Sequence, residues 1–171
     1  MMQFQEKRLL SVNNNEVVSY LIENGLKVTC AESCTGGLLA SAITSVPGSS
    51  ACFDGSIVSY ANAVKHRELK VKNSTLKKYG AVSPETAMEM CLGAYKKFKS
   101  DIAVSITGIA GPGGGTEEKP VGLVYLGIKT KRTHIAIKLM LSGTRDEIRS
   151  KTVQKALDEI YLTATDIVNN R

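Results

Sequence analysis

Apolar positions along the chain switch between a helical period and the two-residue period of strands. Val17, Val18, Leu21 and Ile22 share one face of a helix predicted over 13–24. Asn13, Asn14 and Asn15 form its polar cap, and Gly25 stops it. Residues 26–31, Leu-Lys-Val-Thr-Cys-Ala, alternate as a half-buried strand does. After Thr35-Gly36-Gly37, the apolar residues Leu38, Leu39, Ala42 and Ile43 predict a short helix closed by Pro47-Gly48. Residues 52–60 read as strand and 63–69 as helix. The clearest helix starts at Ser83, an N-cap with Pro84 in the first helical position, and turns Ala87, Met90, Cys91, Ala94 and Phe98 inward. An apolar strand over 102–107 runs into a glycine-rich loop, 108–122. Residues 123–130 and 133–141 predict a strand pair joined by a tight basic turn. Thr144 with Glu147 forms a capping box that opens a long helix towards Asn169.

Strands separated by helices predict an α/β fold, and the late hairpin predicts a mixed, mostly parallel sheet. No internal repeat and no linker divides the 171 residues. A single domain over 1–171 is expected, with 1–10 as an N-terminal extension.

Composition narrows the picture. Hydrophobic residues make up 43%, charged residues 22% and aromatics 5%, with no Trp, so the core must rest on Leu, Ile, Val, Ala and Met. The net charge of +6 suits an anionic partner: nucleic acid, membrane or a phosphorylated small molecule. The lysine groups at 70–78, 96–99 and 129–131 alternate with apolar residues as solvated faces do. No aromatic platform accompanies them, so no nucleic-acid role is expected. Cys30, Cys34, Cys52 and Cys91 form no C-x-x-C pair, and His66 and His134 are the only histidines. That set does not make a zinc site, so free thiols, no metal and no cofactor are expected. The first ten residues lack the apolar run of a signal peptide, and no stretch is long enough to span a membrane. A cytoplasmic protein is expected.

Three segments that follow predicted strands carry candidate chemistry. In Ala31-Glu32-Ser33-Cys34-Thr35-Gly36-Gly37 a serine sits on a strand-to-helix turn, where amide donors hold an oxyanion or a phosphate; the stretch equally describes a tight capped turn. In Tyr60-Ala61-Asn62-Ala63-Val64-Lys65, a lysine of lowered pKa would serve serine as a base and a phenol would relay a proton; alone, Lys65 equally reads as a surface lysine. The run from Ser105 to Val121-Gly122 matches neither a phosphate-binding P-loop nor a dinucleotide turn. It suits an anion nest, a lid or a plain connection. Arg145 and Arg149, one turn apart on the last helix, read as solvated surface, with Arg145 also placed to clamp a phosphate.

Together the stretches 31–37, 60–65, Gly80-Ala81-Val82-Ser83, 105–122 and Gly143-Thr144-Arg145-Asp146-Glu147 resemble the CinA C-terminal family, in its order and spacing. The resemblance covers nearly the whole chain. It implies a three-layer α/β/α sandwich, usually oligomeric. It also implies a nicotinamide-nucleotide amidase of the stand-alone type, converting nicotinamide mononucleotide and water to nicotinate mononucleotide and ammonia. The family nucleophile falls on Ser33, its base on Lys65 and its assisting tyrosine on Tyr60. Thr107 and Gly108 match the substrate-facing loop, and Arg145 a further position there. The nucleotide-pyrophosphatase domain of full-length relatives has no counterpart, so that second activity is not expected.

The mechanism so implied has neutral Lys65 take the Ser33 proton and amides around Thr35, Gly36 and Gly37 hold the oxyanion. Tyr60 protonates the departing ammonia, while Arg145 and glycine-loop amides bind the 5′-phosphate. Cys34 competes as a nucleophile, but neighbours on a turn point apart and Ser33 is preferred. A non-catalytic nucleotide-binding or regulatory protein is the alternative.

Overall fold

The computed structural model describes residues 11–171, and the expected N-terminal extension lies outside the described residues. The elements run α1 (Asn14–Glu23), β1 (Val28–Glu32), α2 (Leu38–Thr44), β2 (Phe53–Val58), α3 (Asn62–Leu69), α4 (Asn73–Tyr79), α5 (Pro84–Phe98), β3 (Ile102–Gly108), β4 (Leu123–Lys129), β5 (His134–Met140) and α6 (Arg145–Asn169). The strands form one sheet in the order β2-β1-β3-β4-β5. β1 pairs in parallel with β2 and β3, while β4 runs antiparallel to both β3 and β5. Four strands therefore point one way and β4 alone is reversed, as a mixed, mostly parallel sheet requires.

Period-two alternation sorts the strand residues onto two covered faces. Cys30 of β1 and Ile102, Val104 and Ile106 of β3 join Val17, Leu21, Leu39, Ile43, Ile148 and Ile160 in a core under α1, α2 and α6. Ala31 and Ala103 face the other way, onto Leu69, Met90 and Ala94 of α3 and α5, and α4 packs on α5. The small residues on this second face let α5 lie close. A β-carbon on Gly127 would come within 2.4 Å of the Ala87 carbonyl oxygen.

The caps explain the helix boundaries. Asn13 and Glu16 form a reciprocal capping box on α1, Ser83 accepts the Thr86 amide at the start of α5, and Thr144 and Glu147 cap α6. Two expectations need correction, and one helix was not expected. β1 is buried along its whole length, not half-buried, because it is a central strand with helices on both faces. Its polar Thr29 is satisfied by the Gly55 carbonyl at 2.7 Å. The helix after Gly37 ends at Thr44, short of Pro47. Helix α4 has no apolar stripe in its sequence. It forms against α5, where buried Thr75 donates to Glu89 at 2.8 Å.

Candidate active site

The parallel strands β1 and β3 end side by side, and Ser33 is the first residue past that edge. Its amide donates to the Ile106 carbonyl at 2.9 Å. The end of β2 is tied to the same point, since the Ser59 amide donates to the Glu32 carbonyl at 2.7 Å. Helix α3 starts three residues later and turns Lys65 back under the edge. A site at the carboxyl end of parallel strands follows from this topology.

Lys65 is buried, with 1% of its surface exposed. Its Nζ lies 2.9 Å from Ser33 Oγ, 2.7 Å from the Ser59 carbonyl oxygen and 3.2 Å from that of Tyr60. Among the described residues, no carboxylate bonds to it. Burial pulls its pKa from 10.5 down to about 8, because a cation loses hydration that two carbonyls only partly replace. A neutral amine has two N–H bonds and one lone pair. Charged, Lys65 donates to all three oxygens; in the neutral form the two carbonyls take the hydrogens and the lone pair is left for the Ser33 hydroxyl. The surface-lysine reading of this residue is thereby overturned.

The turn that carries Ser33 is gripped from two sides. Beneath it, the fully buried Glu32 carboxylate accepts the amides of Gly37, Leu39 and Ala40 at 3.1, 3.1 and 2.9 Å. From α6, Arg149 donates to the carbonyls of Cys34 and Thr35, each at 3.2 Å. These bonds revise the oxyanion expectation. The Gly37 amide is spent on Glu32 and the Gly36 amide on the Ser33 carbonyl. Among the described residues, the Cys34 and Thr35 amides donate to no other residue. Cys34 packs its side chain into the core, and burial pushes its thiol up to about 11. It stays protonated at neutral pH and is a poor rival to Ser33.

Of the other expected site residues, Thr107 is buried and its hydroxyl donates to the Ala81 carbonyl at 2.7 Å, tying the end of β3 to the 80–83 segment. Gly108 packs so tightly that an added β-carbon would meet the Leu123 carbonyl oxygen at 2.8 Å. Tyr60, 62% exposed as a residue, gives Lys65 its backbone carbonyl, while its phenol oxygen accepts from Arg145 at 3.1 Å. Arg145 also donates to the Gly111 carbonyl at 2.7 Å, and Lys119 to the Tyr79 carbonyl at 2.6 Å, so the glycine loop is pinned at both ends. Sequence reasoning read Arg149 as solvated surface and gave Glu32 no role. The only available signal was Arg149's position one turn beyond Arg145, on the same side of the helix.

The model of the CinA C-terminal domain family matches residues 11–163. A CinA-like protein of Endomicrobium trichonymphae is 54% identical over 138 residues, 81% of this chain and 32% of that protein. A CinA-like protein of Kosmotoga olearia is 52% identical over 142 residues, 83% of this chain and 34% of that protein. The chain thus spans about a third of the length of these curated relatives. The crystal structure of competence/damage inducible protein CihA from Agrobacterium tumefaciens is 40% identical, with a TM-score of 0.83 over 96% of this chain and 99% of that one. Family model, relatives and solved fold agree, and the chain belongs to the CinA C-terminal domain family.

Proposed function

We propose that this chain is a nicotinamide-nucleotide amidohydrolase, which turns nicotinamide mononucleotide and water into nicotinate mononucleotide and ammonia through an acyl-enzyme on Ser33. One observation carries the reading: a buried lysine of lowered pKa stands 2.9 Å from a serine hydroxyl, its other bonds going to two carbonyls. This is the arrangement a serine–lysine hydrolase needs. Neutral Lys65 takes the hydroxyl proton as Ser33 Oγ attacks the carboxamide carbon. The oxyanion is held by the Cys34 and Thr35 amides, the donors of the turn that no other described residue takes. Donors of this kind contribute about 3 kcal/mol each to such steps.

The phenol oxygen of Tyr60 accepts from Arg145, which leaves its own O–H free to protonate the departing nitrogen. The carbon–nitrogen bond then breaks and ammonia leaves. Lys65, charged by the Ser33 proton, passes it through solvent to the Tyr60 phenolate and is neutral again. It then takes a proton from water as the water oxygen attacks the acyl carbon, and gives that proton to Ser33 Oγ as the acyl bond breaks. Arg145, exposed at the mouth beside the glycine loop, meets the 5′-phosphate, which would favour the nucleotide over free nicotinamide. The reaction as written needs no metal or cofactor. A cytoplasmic homo-oligomer acting on a small phosphorylated nucleotide completes the proposal.

The test is ammonia release from nicotinamide mononucleotide by purified protein with a chelator present, alongside mass spectrometry of the quenched enzyme. Ammonia in the parent, and a nicotinoyl-nucleotide adduct on the peptide containing Ser33, are expected. Thermal stabilisation by the mononucleotide without ammonia would instead establish a binding protein on the same fold.

A further inference from the structure

Arg149 belongs to none of the segments that carry Ser33, Lys65 or Tyr60, yet it bonds the nucleophile turn at two successive carbonyls. Asp146, on the same helix, forms an exposed ion pair with Arg149 Nη1 at 3.7 Å. The two carbonyls differ in what else supports them. The Thr35 oxygen also accepts the Leu38 amide at 3.1 Å, whereas Arg149 is the only donor to the Cys34 oxygen among the described residues.

A trans peptide points its C=O and N–H in opposite directions. A donor that grips the Cys34 oxygen therefore also sets the direction of the Thr35 N–H. Cys34 is buried, so an unheld carbonyl there would be an orphaned acceptor, and the peptide would rotate to find a partner. A cation on the carbonyl also draws electron density from the peptide and makes the attached N–H a stronger donor.

We propose that Arg149 is a positioning residue for acyl transfer: it locks the Cys34–Thr35 peptide so that the Thr35 amide meets the oxyanion formed at Ser33. This rests on the amidohydrolase reading, so the experiment has one arm that needs no substrate. Arg149→Met removes both bonds and keeps the aliphatic stem, while Arg149→Lys keeps the charge and one bond.

With nicotinamide mononucleotide, Arg149→Met should lose about 10²–10³-fold in kcat, the cost of an oxyanion donor. KM should stay within about threefold, as expected for an interaction made only in the transition state. Arg149→Lys should recover part of the loss, and the pH profile should keep its midpoint because Lys65 is untouched. Unchanged kcat in Arg149→Met overturns the proposal. So does a loss shared by kcat, KM and melting temperature that lysine does not relieve.

In the second arm Ser33 is labelled with a fluorophosphonate, which loses fluoride to Ser33 Oγ through a pentacoordinate transition state whose oxygen needs the same donors but no nucleotide recognition. Labelling of Arg149→Met about 10²-fold slower than the parent supports the proposal even if the parent releases no ammonia. Equal labelling rates overturn it whatever the substrate, and a parent that is never labelled overturns both readings.

Discussion

The carboxylate of Glu32 sits 3.1 Å from the amide nitrogen of Gly37, and through Leu39 and Ala40 it also covers the first turn of α2. A buried side chain thus fills the place where a helix start would otherwise take an external anion. The polarity of that turn goes into holding the nucleophile segment still.

Glu32→Gln should therefore destabilise the protein. Glu32 presents one oxygen to Gly37 and Leu39 and the other to Ala40, so an amide in its place sets one NH2 against a backbone donor. A loss of about 1–3 kcal/mol is expected from the donor left unpaired, read by urea unfolding. Activity should fall further than the unfolded fraction accounts for, because the same bonds aim Ser33.

Lys65 sets the pH dependence. It must be neutral to accept a proton, so kcat/KM should rise through a midpoint near 8 and level off above it. Lys65→Ala should lose both the midpoint and about 10²–10⁴-fold in rate. Stability follows the same proton. With the folded pKa about 8 and the unfolded value 10.5, the unfolded chain binds the proton more tightly between those limits. The parent then gains stability as pH rises from 8 to 10.5, by up to ~1.4 kcal/mol per pH unit from this group, and shows no such slope below 8. Lys65→Met lacks the slope. It should be more stable than the parent at neutral pH, by a margin that narrows above 8.

Ser33 and Cys34 should separate cleanly in an ammonia-release assay. Ser33→Ala should fall to background, whereas Cys34→Ala should lose at most about tenfold, through a small core cavity and not through chemistry. The buried, protonated state of the Cys34 thiol is the reason. Full activity in Ser33→Ala would discard the acyl-enzyme scheme.

Tyr60→Phe removes the hydroxyl but keeps the backbone carbonyl that Lys65 uses. Ser33 should therefore still be labelled by a fluorophosphonate at nearly the parental rate. Turnover of nicotinamide mononucleotide should drop by about 10²-fold, because the leaving nitrogen lacks its proton donor. Parental turnover in this variant would remove the phenol from the mechanism.

Much of the fold was legible in the order of residues because it depends on local pattern. Caps at Asn13, Ser83 and Thr144, the glycine stop at Gly25, the apolar run of β3 and the strand pair β4 and β5 act within a few residues. Helix α4 was not legible, because Leu76 is its one strongly apolar residue and its support comes from Glu89 on another helix. The candidate nucleophile, base and tyrosine were found by the resemblance of several motifs together; each motif alone also described an ordinary turn or surface helix.

What the chain's own order determined was therefore every element but α4, together with the α/β class and the family, all consequences of short-range spacing and motif succession. The tertiary structure alone decided that Lys65 is dry and reaches Ser33, that Glu32 spends the α2 donors, and that Arg149 crosses from α6 to hold the turn. Those outcomes depend on desolvation and on contacts between residues as many as 115 positions apart, and no local pattern encodes how much water a side chain will lose.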